Sequence, residues 1–409
     1  EEIEFYNPQT SADLIGNTKE VFIQKSQLGG GSPMIRGFAT NSVLLVVDGV
    51  RLNNAIFRGG NLHNVISIDP HAIENSEVIF GPGSVTYGSD ALGGVMDFHT
   101  KSVKLSTTSQ PNIKTSALAR YSSANNEMAG HVDVNYGRQK WGILTSFSYS
   151  QYDDLFMGTH KHPEYRRMTY AKRIDGRDTI VPNNTPNKQI PSGYGQMNVM
   201  QKLRFRPTAN LDLRYAFHFS KTSNIPRYDR LIQRKDGTLK NAVWYYGPQR
   251  WSMHALKGKF APQNLLFDNM KFTLAYQNYE ESRHDRGFNE KWLRHRVEKL
   301  DIVNFSLDFS KEIGADLLYY GLEMNYNDLN SSAYEEQIIS GTEQATQTRY
   351  PNGKNDYTSL AGYVSYKNNI GEDFTAITGV RYSYIDIRST LDTTAGYYDF
   401  PFDELTLST

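Results

Sequence analysis

Histidine is the side chain in this sequence that could act as an acid, a base or a metal ligand. The chain of 409 residues has ten histidines and no cysteine. His160 and His162 lie two residues apart, so on an extended chain both imidazoles can point the same way and contact a metal ion or haem. Such a pair alone is a weak motif, and we predict no permanent metal centre. The lack of cysteine excludes disulfides and cysteine-ligated metals.

Motifs for nucleophilic and metal-assisted hydrolysis are absent from the sequence. Neither Gly-x-Ser-x-Gly nor His-Glu-x-x-His occurs. A Ser/His hydrolase would instead need a serine and a histidine on the same face of neighbouring strands. His131 and His218 share a face with other polar residues of their strands, which is common in a hydrated interior. The sequence therefore predicts that the protein is not an enzyme.

Composition narrows the class of fold that positions these side chains. The 44 basic and 44 acidic residues give a formal net charge of zero, which argues against a nucleic-acid-binding protein. No apolar run approaches the ~18 residues of a membrane-spanning helix. Tyrosine (27) and phenylalanine (20) are abundant. This composition suits either a membrane β-barrel or a soluble all-β protein.

The first part of the chain, residues 1–104, is predicted to be a separate unit with short apolar runs and frequent glycine. Val43–Val47 has the length and composition of a buried strand, and the Asp-Gly pair after it predicts a tight hairpin turn. Ile73–Glu77 is predicted to be a short helix or turn that leads into the strand Val78–Phe80. These elements predict a compact α+β domain.

Residues 105–409 contain long stretches in which apolar and polar residues alternate. In the clearest one, Leu211, Leu213, Tyr215, Phe217 and Phe219 form one face. A period of two with one apolar face is typical of a wall with lipid on one side and water on the other. Eleven such strands are predicted, near residues 113–122, 127–137, 141–152, 193–206, 210–222, 249–261, 268–283, 297–311, 316–330, 357–370 and 373–388.

The connections between these strands alternate between short turns and long loops. The long loops are predicted at residues 153–192, 223–248, 284–296 and 331–356. This asymmetry is typical of outer-membrane barrels, whose long loops lie outside the cell. A plugged barrel needs about 22 strands. We therefore expect about half of a barrel that stops in the loop after the eleventh strand, with the rest of the wall supplied by other residues, because open strand edges are not tolerated in lipid.

Five ordered motifs in the first hundred residues resemble a known family, at residues 33–38, 43–51, 68–74, 77–84 and 87–101. They are similar to the plug domain of TonB-dependent outer-membrane receptors. The resemblance implies a plugged membrane all-β barrel, surrounded by lipid in the outer membrane of a Gram-negative bacterium. It also implies import of a ligand when TonB, with its inner-membrane partners ExbB and ExbD, rearranges the plug. The TonB box and the first part of the family's plug have no counterpart in these residues.

Three charged residues of the plug are expected to contact the wall, and the resemblance implies this role for one of them. It makes Arg36, the arginine of the Ile-Arg-Gly motif, part of a network between plug and wall. Asp48 and Arg51 are further plug charges that we expect to pair with inward-facing wall carboxylates, with ordinary solvated surface charges as the alternative.

The segment after the predicted hairpin is expected to form the apical plug loop, which faces an incoming ligand. Its candidate contacts are Phe57, Arg58 and His63, and His63 is a candidate axial haem ligand. A plain loop histidine is the alternative.

Two further segments, Ile225–Leu231 and Trp244–Pro248, are similar to the haemoglobin, haem and transferrin receptor branch of the family. Their aromatic residues Tyr228, Trp244 and Tyr245 are expected to contact a ligand or partner, or else to serve as packing anchors or a membrane-interface girdle.

The leading prediction is therefore an importer of iron, as haem or from a haem protein, with a haem protein or surface lipoprotein as a further partner. A siderophore, cobalamin or other nutrient receptor is the alternative within the class. A plugged-barrel subunit of a larger surface complex, without transport, is the alternative of another class.

Overall fold

The computed structural model describes residues 5–17, 20–25, 28–39, 42–56, 65–80, 84–160, 162–262, 264–370, 374–392 and 404–409. Across these residues the chain consists mainly of β-strands. They form several small sheets and one large sheet. No helix in these ranges is both long and apolar enough to cross a membrane.

The N-terminal elements are short and pack around an apolar core. They are the helices α1 (Ser11–Asn17) and α2 (Ser84–Tyr87), 3₁₀ turns at Val65–Ser67, Pro70–Ala72 and Ser89–Ala91, and the strands β1 (Phe22–Gln24), β2 (Ser32–Ile35), β3 (Phe38–Ala39), β4 (Val43–Val47), β5 (Val50–Arg51), β6 (Ile73–Phe80) and β7 (Gly94–Thr100). β1–β3 form one sheet, and a second has the order β5-β4-β7-β6, in which β4 and β7 run parallel. All five residues of β4 are buried, as expected for a strand covered on both faces. The predicted α+β architecture is confirmed, and we call this unit the plug.

Local signals explain two of these elements. Thr10 caps α1 reciprocally, because its hydroxyl accepts from the Asp13 backbone N–H while the Asp13 carboxylate accepts from the Thr10 N–H. Asp48 (φ 49°) and Gly49 (φ 75°) form the tight turn between β4 and β5. The prediction of a helix or turn at Ile73–Glu77 is wrong. These residues belong to β6, because they pair with β7, and such pairing leaves no local apolar pattern.

The remaining strands are long and mostly antiparallel neighbours. In chain order they are β8 (Asn112–Ser122), β9 (Glu127–Gly137), β10 (Trp141–Tyr152), β11 (Thr169–Ile174), β12 (Arg177–Pro182), β13 (Tyr194–Thr208), β14 (Leu211–Thr222), β15 (Ile225–Pro226), β16 (Arg234–Lys235), β17 (Thr238–Leu239), β18 (Asn241–Tyr246), β19 (Arg250–Phe260), β20 (Asn269–Gly287), β21 (Trp292–Ile313), β22 (Asp316–Gln337), β23 (Glu343–Ala345), β24 (Asn355–Ile370), β25 (Phe374–Thr390) and β26 (Glu404–Ser408). A short helix, α3 (Tyr228–Leu231), and a 3₁₀ turn at Pro163–Tyr165 lie in the connections. Twelve strands form what we call the wall, in the order β8-β9-β10-β13-β14-β19-β20-β21-β22-β24-β25-β26.

The eleven predicted wall strands are confirmed, with three corrections. The chain does not stop in the loop after the eleventh strand, because β26 adds a twelfth that pairs with the end of β25. Its five residues are too few for alternation to be recognised. The loop predicted at 284–296 is also wrong. β20 reaches Gly287 and β21 begins at Trp292. Residues 281–286 are polar on both faces, so apolar alternation does not reveal the end of β20. The loop predicted at 331–356 is likewise too long, because β22 reaches Gln337.

The two faces of the wall differ in chemistry. A row of cross-strand partners from β8 to β25 is apolar throughout on the outer face: Ile113, Tyr136, Ile143, Leu203, Tyr215, Leu256, Leu274, Phe305, Met324, Leu360 and Tyr384. The next row, on the inner face, contains Ala216, Ala255, Ala275 and Asn304. Ala255 and Ala275 pack against the plug core. Small inner residues thus admit the plug, and the outer row suits lipid.

Candidate functional site

The tip of the β4–β5 hairpin meets the wall through Asp48. Its carboxylate accepts from the backbone N–H (2.9 Å) and hydroxyl (2.7 Å) of Thr100, and lies 2.8 Å from Lys202 Nζ and 3.3 Å from His218 Nε2. Burial alone would raise the pKa of Asp48, but Lys202 and His218 hold it well below its usual range. The sequence predicts a wall carboxylate as the partner of Asp48. This is corrected, because an ionised plug carboxylate attracts wall cations.

The other end of the hairpin meets the wall through Arg51. Its guanidinium donates to Asp90 (2.7 Å) and the Tyr87 carbonyl (2.6 Å) within the plug, and to Glu323 of β22 (2.9 Å). The second oxygen of Glu323 accepts from Arg381 of β25 at 2.7 Å. Arg51 thus has the kind of wall partner that the sequence led us to expect. The hairpin is held at two points of the wall.

Arg36 does not take part in this network within the part of the chain that the structure describes. It lies in the β2–β3 turn at φ 48° and is exposed. Its guanidinium stands over the Phe80 ring, 4.9 Å from the centroid, and no carboxylate in the described ranges pairs with it. The expected ionic role of Arg36 is therefore corrected. A turn side chain on the uncovered side of the plug stacks on an exposed aromatic ring instead.

A third plug–wall contact joins a serine and a histidine on neighbouring strands. Ser148 Oγ lies 2.7 Å from His131 Nδ1, and His131 Nε2 lies 3.0 Å from Asp133. Ser148 donates to Asp69 of the plug at 2.6 Å, and Lys101 of the plug donates to Asp133 at 2.7 Å. The Ser–His alignment resembles a hydrolase pair. Because the serine proton is held by Asp69 under the docked plug, the arrangement fastens the plug to the wall.

The predicted ligand contacts are spread over separate places. Phe57, Arg58 and His63 lie outside the described residues. His160 and His162 are exposed in the connection between β10 and β13. His160 lies 3.3 Å from the Thr159 hydroxyl, and His162 stands edge-on to Tyr165. Their role in ligand binding stays a prediction.

The aromatic residues of the β14–β19 connection divide between two environments. Trp244 stands edge-on to Tyr246, and the Arg227 guanidinium lies over both rings at 5.1 and 5.4 Å. Tyr245 points to the opposite face of β18, where it stacks on His284 at 4.5 Å. Tyr228 lies in α3 under Arg167, 5.6 Å from the guanidinium. Trp244 therefore contacts Arg227, whereas Tyr245 lies on the other face of β18 and does not.

Sequence reasoning missed the polar residues at the long-loop end of the wall. Arg283 lies over the Tyr246 ring at 5.2 Å, on the same face as Trp244. The charges at alternate positions of residues 281–285 were the available signal for one continuous strand face. The inner face of β18 and of the upper ends of β20–β22 is called the vestibule here. It adjoins the plug core, to which Tyr246 and Tyr279 belong.

The connections at this end are fastened to one another. Asp178, in the β11–β12 hairpin, accepts from both Nη atoms of Arg286 on β20 at 2.6 and 2.8 Å. The Asn289 backbone N–H donates to the same carboxylate. Burial would raise the pKa of Asp178, but the Arg286 hydrogen bonds lower it overall. Among the described residues, no group of three or more histidine or acidic side chains is arranged to hold a metal ion.

Comparison with known proteins matches the plug and the wall to two protein families. The TonB-dependent Receptor Plug Domain matches residues 1–95, and the Outer membrane protein beta-barrel family matches residues 264–406. The chain therefore carries the plug domain and part of the barrel of the TonB-dependent receptor family. The predicted family, the plugged-barrel fold and the outer-membrane location in a Gram-negative cell are confirmed. The family consists of receptors and transporters rather than enzymes, as predicted.

Named relatives of the receptor bind different ligands. It is 49% identical over 84 residues (20% of its length) to a vitamin B12 transporter of Vibrio vulnificus, and 33% identical over 116 residues (28%) to a hemin receptor of Yersinia pestis. These segments span 13% and 16% of the two relatives. The copper transporter OprC has the same fold, with a TM-score of 0.74 and 12% identity over 98% of the receptor and 56% of OprC. The receptor thus spans little more than half of that structure.

Proposed function

We propose that the receptor imports a nutrient through its barrel, gated by the plug, and that the nutrient is iron in haem or taken from a haem protein. The proposal that the plug gates import rests on two ion pairs of the β4–β5 hairpin with the wall. Asp48 pairs with Lys202, and Arg51 pairs with Glu323. A plug bound this firmly blocks diffusion, so transport requires work on the plug. TonB, driven by ExbB and ExbD, is the proposed source of that work.

The choice of haem is supported by the vestibule and by one relative. The vestibule carries the rings of Trp244 and Tyr246, with the guanidinium of Arg227 over both and that of Arg283 over Tyr246. Arg227 is also paired with Asp229 at 2.9 Å. Haem presents a flat aromatic ring and two carboxylates, which such a surface can bind through stacking and charge. A hemin receptor is among the sequence relatives. His63 is the proposed axial ligand, with His160 and His162 as outer contacts. A haem protein or surface lipoprotein is the proposed external partner.

The binding test is a titration of the detergent-purified full-length receptor with haemin, followed by visible absorption. We expect a saturable Soret shift that His63→Ala changes. His99→Ala, at a half-exposed plug histidine, is the matched control and should leave the shift unchanged. A flat titration of the wild type would contradict haem and direct the search to cobalamin, which a second relative transports, or to a siderophore.

The transport test is growth of a receptor-deletion strain on haemin as sole iron source, complemented with the receptor in the presence and absence of TonB. Growth should require both. Complementation that is independent of TonB would contradict gated import. Failure to complement on any iron or cobalamin source would favour the non-transporting subunit of a surface complex.

A further inference from the structure

Arg349 carries an unused binding edge in the vestibule. It lies in the connection between β22 and β24, and its Nη1 donates to Glu281 (3.0 Å) and Glu298 (2.8 Å) of the wall. The side chains of Arg349, Glu281 and Glu298 are 7%, 5% and 0% exposed. The connection thus reaches inward and buries its guanidinium against two wall carboxylates.

Among the residues that the structure describes, the other donors of this guanidinium have no hydrogen-bond partner. Nε and Nη2 of Arg349 are buried and make no hydrogen bond. The same two atoms of Arg283 are also buried without a hydrogen bond, and Arg283 Nη2 makes only a 3.5 Å ion-pair contact with the Glu281 oxygen that Arg349 contacts. In the described part of the chain, one carboxylate oxygen at this place, Glu298 Oε1, also lacks a hydrogen-bond partner, compared with four nitrogen donors. Buried donors without acceptors are costly, so the site has an excess of donors to satisfy.

The identity of the free atoms indicates the chemistry of a ligand. Nε and one Nη form the edge of a guanidinium that binds a carboxylate through two parallel hydrogen bonds. Arg349 contacts Glu281 through Nη1, which leaves this edge free. Arg283 has the same two atoms without a hydrogen bond, and its Nη2 makes only a 3.5 Å ion-pair contact with Glu281. The Arg283 ring contact with Tyr246 and the Arg349 contact with Tyr350 (5.4 Å) hold the two planes in place.

The residue after Arg349 connects this place to the plug. Tyr350 Oη donates to the Ile56 carbonyl of the plug at 3.1 Å. The neighbouring Ala55 N–H donates to Asn327 of β22 at 3.0 Å. The plug segment that leads into the predicted apical loop is therefore held by the connection that carries Arg349 and by the wall beneath it.

We propose that Arg349 and Arg283 form a seat for a carboxylate of the imported ligand, and that Tyr350 ties the occupied seat to the plug at Ile56. This inference rests on the proposed import function and names its specificity-determining residues. A ligand with several hydrogen-bond acceptors pairs with the free guanidinium edges. Its binding is transmitted to the plug through the next residue, Tyr350, which donates to the Ile56 carbonyl. Arg349 is thus a ligand-binding residue and Tyr350 a positioning residue.

The seat is tested by binding of two probes, haemin and ferric citrate, to the full-length receptor, followed by tryptophan fluorescence. We expect Arg349→Gln to weaken at least one probe 10-fold or more, and Arg349→Lys, which keeps the charge without the edge, to weaken it nearly as much. Arg388→Gln, at a 65% exposed arginine of β25, is the matched control and should change neither affinity by more than 2-fold. Because Arg349→Gln leaves Glu298 unpaired, the variant Arg349→Gln with Glu298→Gln repeats the test with the charge balanced.

The outcomes separate the seat from the choice of haem. Citrate binding that depends on Arg349, with no haemin binding, would support the seat and overturn haem. Wild-type affinities that survive in both Arg349→Gln variants would overturn the seat and leave water as the partner of the free donors. Binding of neither probe by the wild type would count against both.

The hydrogen bond between Tyr350 and Ile56 is tested without a ligand, by hydrogen exchange of the plug segment that ends at Ile56. Tyr350→Phe removes only the hydroxyl and should raise exchange there 5-fold or more. Tyr319→Phe, at an exposed wall tyrosine, should not. In TonB-dependent uptake, Tyr350→Phe should leave probe affinity within 2-fold and slow uptake at least 5-fold. Unchanged exchange and unchanged uptake would overturn the tie.

Discussion

His71 is a half-buried plug residue whose protonation opposes the docked state. Its ring lies 5.4 Å from the ring of His131 on the wall, and its Nε2 is buried with no hydrogen-bond partner among the described residues. Burial is the main cause that lowers the pKa of His71 to about 4. The nearby Arg120, His131 and Lys101 lower it further, while Asp69 opposes them. The side chain is therefore neutral at pH 7, and a proton there meets three other cationic or titrating groups.

Plug stability should accordingly fall in mildly acidic solution. Because the pKa of His71 is about 4 in the folded receptor and about 6.5 in an unfolded chain, the unfolded state binds the proton first. The free energy of plug unfolding should be constant above about pH 6.5 and decrease as the pH falls towards 4. The measurement is proteolysis of the plug in increasing urea between pH 7.5 and 4.5.

His71→Gln should flatten this dependence, because glutamine does not titrate. His99→Gln removes an imidazole at a half-exposed position and should keep the wild-type slope. A slope that is the same in His71→Gln would assign the pH dependence to other groups.

At the scale of elements, the β4–β5 hairpin docks the plug through buried charge. Asp48→Asn keeps an acceptor for the Thr100 N–H but leaves Lys202 and His218 facing a neutral amide. Removal of one member of a buried ion pair costs about 3 kcal/mol, because the partner charge stays buried. We expect the free energy of local opening of the hairpin, from hydrogen exchange, to fall by about that amount.

Asp97 is the matched control for this change. It lies on the neighbouring plug strand β7, burial raises its pKa, and its Oδ1 has no hydrogen-bond partner. Asp97→Asn should therefore change the opening free energy by less than about 1 kcal/mol. Equal effects of the two substitutions would refute a specific role for Asp48 in docking.

At the scale of the whole molecule, the outer face of the wall must match the thickness of the lipid. On β20 the outward residues from Met270 to Tyr276 are apolar or aromatic, and Asn278 beyond them is polar. Leu274 lies near the middle of this belt and is 47% exposed. Across the wall, its register partners on both sides are apolar as well.

Leu274→Arg should destabilise the folded receptor by about 2–4 kcal/mol, the cost of a cation at the midplane of a barrel's lipid face. Asn278→Arg, four residues further along β20 towards the long-loop end, should cost about 1 kcal/mol or less. Urea unfolding of the full-length receptor in lipid vesicles, followed by heat-modifiable gel mobility, measures both. A larger loss for Asn278→Arg would place the lipid belt higher on the wall.

The sequence alone was sufficient for the local architecture. Alternation over residues 210–222 fixes both the strand β14 and its lipid face, because side chains of a strand point to opposite sides with a period of two. The Asp-Gly turn after Val47 and the ordered plug motifs are also local. A neighbour in sequence suffices to specify each of them.

Only the tertiary structure decided which residues meet. Arg51 and Glu323 are 272 residues apart in the sequence, and the residues around each of them give no signal that the two pair. The same holds for Asp48, whose wall partners are cations rather than the expected carboxylates, and for Arg36, which has an aromatic partner. Tyr245 and Trp244 face opposite ways because their segment is a strand, although it was predicted as loop. Long-range pairing depends on the register and closure of the whole wall, which local patterns do not encode.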